Sequence, residues 1–309
     1  MKFKAFTITV FTFLFLTGIS KGQTFDLIQK SIAEAKEGKF TSIDFRLFAT
    51  SKDISESIEL LNGFGNDSLE SVRSRVLMIA GRLQPYLQQQ SDREKIVYLL
   101  CQRIDDQSTG IAGNALEYLK DYSADDFNAA ARQEISEALQ NGSAHYSELV
   151  KIAGFVNIPS LANHLTALST VDSLSAEVKW SIKLAQARTG DAIATRFIMN
   201  RIRRYPINDR FIYQILPSVL YLKNKEVAEL LSEIILSDEK SCESADMEQD
   251  QPIICAYQAM QYLGKMVAEF PIAVDSDGYP ETDDYQKALQ TTRDWLKANP
   301  NFKFDKSIY

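Results

Sequence analysis

The sequence predicts an all-α fold, and three observations predict it. Apolar residues recur at helical spacing along most of the chain, broken by turn chemistry roughly every 15 residues. Glycine and proline number only 13 and 8 in 309 residues, too few for a turn-rich sandwich. No segment sustains the period-two alternation of a half-buried strand.

The elements follow in chain order. Lys2 and Lys4 precede an apolar run from Ala5 to Ile19, and Ser20 and Gly22 stand at a small-residue exit. This is the pattern of a secretory signal over 1–23, with cleavage expected after Gly22 or Gln23. The run is about 15 residues, short of the roughly 20 a spanning helix needs, so stable membrane insertion is not expected. No Cys stands near the exit to carry a lipid. The mature chain is expected to be periplasmic or secreted.

Residues 24–65 are expected to form an N-terminal helical cap. Phe25, Ile28, Ile32 and Ala35 mark one helix, and Ile54, Ile58 and Leu61 another. The stretch from Phe40 to Phe48 fits helix or strand equally. A cap is the natural role, since terminal repeats must hide one face from water.

Residues 66–309 are expected to form a helical-repeat array. Glu70 to Leu87 places Val72, Val76, Ile79, Ala80 and Leu83 on one stripe. Ser91 with Glu94, and Ser123 with Asp126, have capping-box spacing ahead of helices at 92–104 and 127–139. Asn141 and Gly142 tolerate the left-handed backbone of a helix end. Further helices are expected at 144–155, 159–168, 176–188, 191–204, 209–222, 225–236, 251–268 and 283–298.

One spaced pattern recurs: Val76, Ile79, Ala80, Leu83, then Ala112, Ala115, Leu116, Leu119, then Leu149, Ile152, Ala153, Val156. Weaker copies are Ser181, Leu184, Ala185, Arg188 and Leu216, Val219, Leu220, Lys223, and a last is Ala256, Ala259, Met260, Leu263. Each interval leaves room for one more helix, so the unit is a helix pair. The run from Asp67 to Arg73, continued by Val76, Ile79, Ala80 and Leu83, resembles the second helix of a HEAT-type repeat. So does Ala176 to Trp180 with Ile182, Leu184 and Ala185, closed by Thr189-Gly190-Asp191. The resemblance implies an α-α superhelix of the HEAT or armadillo kind over roughly 54–300, whose concave face would bind a protein or peptide.

Charge narrows the partners. The net charge is −7, and about −10 once the basic leader is removed. Such a chain repels phosphate backbones and anionic lipid, so no nucleic-acid partner is expected. Of three cysteines, Cys242 and Cys255 flank an acidic loop and are expected to form a disulfide in an oxidising compartment. Cys101 falls on the apolar face of Val97, Leu100 and Ile104 and is expected to be a buried thiol.

Catalytic signatures are absent from the sequence. His145 and His164 are too far apart for a helical metal motif, and no metal or cofactor is expected. The acid pairs Asp105-Asp106, Asp125-Asp126 and Asp283-Asp284 sit at helix ends, where carboxylates serve as caps. In the loop from Asp275 to Asp284, Gly278 is fourth rather than sixth, out of register for an EF-hand. The one basic concentration is Arg196, Arg201, Arg203 and Arg204, with Lys183 and Arg188 upstream. It is a candidate patch for an acidic partner. The expected function is a non-enzymatic scaffold binding another extracytoplasmic protein or peptide. The alternative is a helical enzyme or carbohydrate binder whose scattered carboxylates gather in a pocket beside Trp or Tyr.

Overall fold

The computed structural model describes residues 22–159, 161–169, 171–244, 251–267, 269–275 and 278–309. The expected export signal falls outside the described residues except for Gly22 and Gln23. The fold is all-α, with a single two-stranded hairpin among the described residues. Packing divides the chain into two compact units, the second beginning at Val76.

The first unit holds helices α1 (Gln23–Lys36) and α2 (Ile54–Phe64), which pack on each other through Ile28, Ile32, Ile58 and Leu61. The ambiguous stretch becomes a 3-10 helix, Phe45–Thr50. Asp53, which begins α2, also satisfies the start of α1: its carboxylate accepts from the Phe25 amide at 3.0 Å and the Thr24 hydroxyl at 2.8 Å. Burial opposes its charge, but hydrogen bonds from Ser51, Phe25 and Thr24 hold its pKa below the usual carboxylate value. Helix α3 (Glu70–Arg82) contains the division between the units.

The second unit continues with α4 (Gln90–Cys101), α5 (Thr109–Leu119), α6 (Ala129–Asn141), α7 (Tyr146–Phe155), α8 (Leu161–Ser169), α9 (Ala176–Arg188) and α10 (Ala192–Ile202). Each helix touches near neighbours in sequence: α4 packs on α5 and α6, α5 and α6 on α7, and α7 on α9, which also meets α8 and α10. The positions of the recurring pattern are buried, apart from the half-buried Arg188. Leu149, Ile152 and Ala153 are fully buried, as are Ala115, Leu116 and Leu119. Each such Leu or Ile contributes about 1.5–3 kcal/mol by leaving water. Gly154 matters for α7: a Cβ there would lie 2.5 Å from the Tyr221 hydroxyl and 2.9 Å from Ala185. Its absence lets Tyr221 reach the Lys151 carbonyl at 2.7 Å.

Three local readings are corrected. The helix expected from Asp92 starts at Gln90, and Ser91 makes no cap. Arg93 instead ties down the incoming chain by donating to the carbonyls of Leu87 and Gln88. The helix expected over 209–222 opens as a π-helical turn, Phe211–Ile215, before α11 (Leu216–Leu220). Pro217 has no N–H for the carbonyl four residues back, which favours the wider turn ahead of it. The helix expected over 251–268 is broken. After α12 (Lys225–Leu236), strand β1 (Lys240–Cys242) pairs antiparallel with β2 (Ile253–Ile254), and only then come the short helices α13 (Ala256–Ala259) and α14 (Gln261–Met266). Ile253 and Ile254 are taken up by this pairing instead of a helix, and Cys242 and Cys255 lie at disulfide distance, 2.04 Å. Helix α15 (Tyr285–Ala298) is capped by Asp284, which accepts from the Lys287 amide at 2.9 Å.

Candidate functional site

The site is built on α9, α10 and the turn that follows. Ser175 caps α9 by accepting from the Val178 amide, and Asp191 caps α10 by accepting from Ile193 and Ala194. The two helices pack through Ile182, Ala194, Ile198 and Ile202, all buried. That packing leaves Trp180 and Lys183 of α9 facing Phe197 and Arg201 of α10 across a cavity of about 660 Å³. Tyr205, Arg210, Gln214 and Ser218 close the far side, with Arg210 just ahead of the π-turn, Gln214 on it and Ser218 on α11.

The lining has a consistent chemistry. Trp180, Phe197 and Tyr205 are aromatic, and Phe197 and Tyr205 are 47% and 41% exposed, unusual for side chains of that size. Lys179, Lys183, Arg201 and Arg210 are cationic, and no carboxylate lines the cavity among the described residues. The Arg201 guanidinium lies over the Trp180 ring at 5.7 Å, a cation–π contact within the lining. In a chain of net charge −7 this is a local reversal of sign. A cluster of like charge of this kind favours an anion over a cation.

The expected basic patch divides. Arg201 and the upstream Lys183 line the cavity. Arg203 instead clamps Glu233 of α12 through both nitrogens, at 2.9 and 3.1 Å. Arg196 and Arg204 are exposed and outside the lining. Among the charged and aromatic lining residues, Lys179, Phe197, Tyr205 and Arg210 were not singled out from the sequence. Their signal was available in part, since Phe197 stands off the buried stripe of Ala194, Ile198 and Ile202.

The π-turn is anchored from three sides. Asn208 accepts from the Phe211 amide at 3.1 Å, and the Tyr262 hydroxyl donates to the Ile212 carbonyl at 3.0 Å. Burial, then the neighbouring Tyr213 and Tyr279, pushes the Tyr262 hydroxyl up to about 12, keeping it a donor. Asp209 accepts from the Glu243 amide at 2.8 Å and from Gln258 at 3.0 Å, linking the turn to both sides of the cysteine-closed hairpin.

The other sequence candidates are accounted for by packing. His145 bonds the Thr109 carbonyl and His164 the Tyr146 hydroxyl, each at 2.8 Å. Asp126 joins a capping box with Ser123 and pairs with Arg93 at 2.9 Å. Cys101 is buried, and burial raises its thiol pKa. Asp275 closes a turn by accepting from the Tyr279 amide. Among the described residues no group of three metal-ligating side chains gathers, and no helix is long and apolar enough to cross a membrane.

Comparison of the chain with protein-family models, with curated proteins and with solved structures finds no match. The function must therefore be argued from the geometry of the site.

Proposed function

We propose that this chain is an exported, non-enzymatic scaffold of the HEAT or armadillo kind that binds a protein or peptide. The ligand element is an acidic segment carrying an aromatic or bulky apolar side chain. The observation that carries this reading is the cavity between Trp180 and Arg201, with three aromatics, four cations and, among the described residues, no lining carboxylate. An apolar side chain fills the space between Trp180 and Phe197, while flanking Asp or Glu meet Lys183, Arg201 and Arg210. The pairing of α5 with α7 and α7 with α9 supports the repeat reading, and the cysteine pair at disulfide distance supports export. The enzyme alternative needs two carboxylates beside Trp or Tyr, and this cavity supplies the aromatics alone.

The test uses the intrinsic probe. Trp295→Phe leaves Trp180 as the sole tryptophan, and its emission is followed while acidic, neutral and basic peptides containing one Phe or Tyr are added. Saturable change with the acidic peptide alone, weakened by salt and by Arg201→Ala, is the expected result. Equal response to the neutral peptide, or no response to any, would overturn the reading.

A further inference from the structure

The 302–309 segment has no helix or strand, yet it is held across the ends of several helices. The Asp305 amide donates to the Met266 carbonyl, and the Ala124 amide donates to the Ser307 carbonyl, both at 2.7 Å. Lys223 Nζ donates to the carbonyls of Asp305 and Ile308 at 2.9 and 2.8 Å. Arg188 donates to those of Lys306 and Ile308, each at 3.0 Å. The Tyr309 ring then packs edge-on against Phe155 at 5.5 Å and against Tyr221 at 5.3 Å.

Besides the Tyr309 ring, the segment is anchored at its start by Phe302 against Trp295 at 5.4 Å and by the buried Phe304, and between these anchors the grip is on main chain, the way a receptor holds an extended peptide. The two cations have a telling place in the sequence. In the recurring pattern the fourth position is Leu83, Leu119, Val156, Arg188, Lys223 and Leu263. Four are buried and apolar, and the two consecutive cations are the ones that hold the segment. Lys223 is only 2% exposed, and its φ of +44° is a left-handed backbone that glycine adopts without strain. A folding role alone would favour glycine there. Lysine is explained by the two carbonyls that its Nζ reaches.

We propose that this groove is a peptide-recognition site, and that residues 302–309 are its resident, exchangeable ligand. The partner class it fits is an extended peptide that offers free carbonyls to Arg188 and Lys223 and places an aromatic ring between Phe155 and Tyr221. The proposal is independent of the cavity on α9 and α10.

The decisive experiment cuts the resident segment free after folding. A protease site is inserted in the exposed stretch between Pro300 and Asn301, the full chain is purified folded, and it is then cleaved. The expected result is that the core keeps its cooperative unfolding and that a labelled synthetic 301–309 peptide exchanges in. The Tyr309→Ala peptide should bind at least about tenfold more weakly, as for an aromatic anchor. Lys223→Gly, which relaxes the backbone, should still fold and lose the peptide by a similar factor. Loss of cooperative unfolding on cutting, failure of the peptide to exchange, or equal binding of the Tyr309→Ala peptide would overturn the proposal. In the unmodified chain, hydrogen exchange gives a second reading: the Ala124 amide should open well before the amides of α7. Exchange of Ala124 only on global unfolding would also overturn it.

Discussion

Lys223 Nζ donates to the Ile308 carbonyl across 85 residues of sequence, at 2.8 Å. Burial first, then the nearby Arg188, lowers the Lys223 pKa from 10.5 to about 7, with Asp305 opposing. The other titratable groups facing it keep one charge state near neutrality, since Tyr221 and Tyr309 are pushed upward and Asp305 downward.

A pH dependence follows from that pair. Between about pH 7 and 10.5 the unfolded lysine binds a proton that the folded form does not, so the fold gains stability as pH rises through that window. Below it the lysine is charged in both forms and adds no slope. Urea unfolding at pH 7 and pH 9 should show a gain of about 1 kcal/mol or more, absent in Lys223→Met.

Gly154→Ala should destabilise the second unit by about 1–3 kcal/mol, because the added Cβ meets Tyr221 and Ala185 within 3 Å. The shift should appear as a lower urea midpoint with unchanged slope. The Tyr221 hydroxyl should also lose its bond to the Lys151 carbonyl, seen as changed near-ultraviolet dichroism.

How much of this was legible in the sequence varies with how local the cause is. Helix α9 and helix α12 begin and end where the spacing placed them, because Ser175 and Asn224 cap them with their own side chains. Gly142 ends α6 at a φ of +79°, as its position suggested. The π-turn was not legible, because Pro217 is compatible with a helix start and only packing shows where the chain widens. The hairpin at 240–254 depends on Cys242 meeting Cys255, a pairing that sequence suggested without the strands it brings. The cavity joins Trp180, Arg201 and Arg210 from three elements, and periodicity within each says nothing of their meeting. Arg188 and Lys223 were visible as flaws in the repeat. Their reason lay at 305–309, too distant for any local rule.

Replacing both Cys242 and Cys255 by Ser should cost at most about 3 kcal/mol, the chain-entropy value for closing so short a loop. The structural consequence should reach the cavity, since Asp209 joins the hairpin to the π-turn. Calorimetry should show a lower Tm, and Trp180 emission in a Trp295→Phe background should shift toward that of a more solvated ring.

Asp126→Asn should cost about 2–3 kcal/mol, because it removes the charge from a buried partner of Arg93 and weakens the Ser123 capping box. Arg93→Met, which also gives up the bonds to the Leu87 and Gln88 carbonyls, should cost less in the Asp126→Asn background than in the wild type, as a double-mutant cycle would show.

The most direct test of the binding reading is a charge reversal at the cavity. Affinity is measured by calorimetric titration for one acidic, Phe-containing peptide and its basic counterpart, against the wild-type chain and the Lys183→Glu/Arg201→Glu variant. If the cavity between Trp180 and Arg201 selects acidic segments, the wild type binds the acidic peptide, and the variant loses it by at least about tenfold while gaining the basic one. Unchanged preference in the variant, or no binding of either peptide by the wild type, would contradict it.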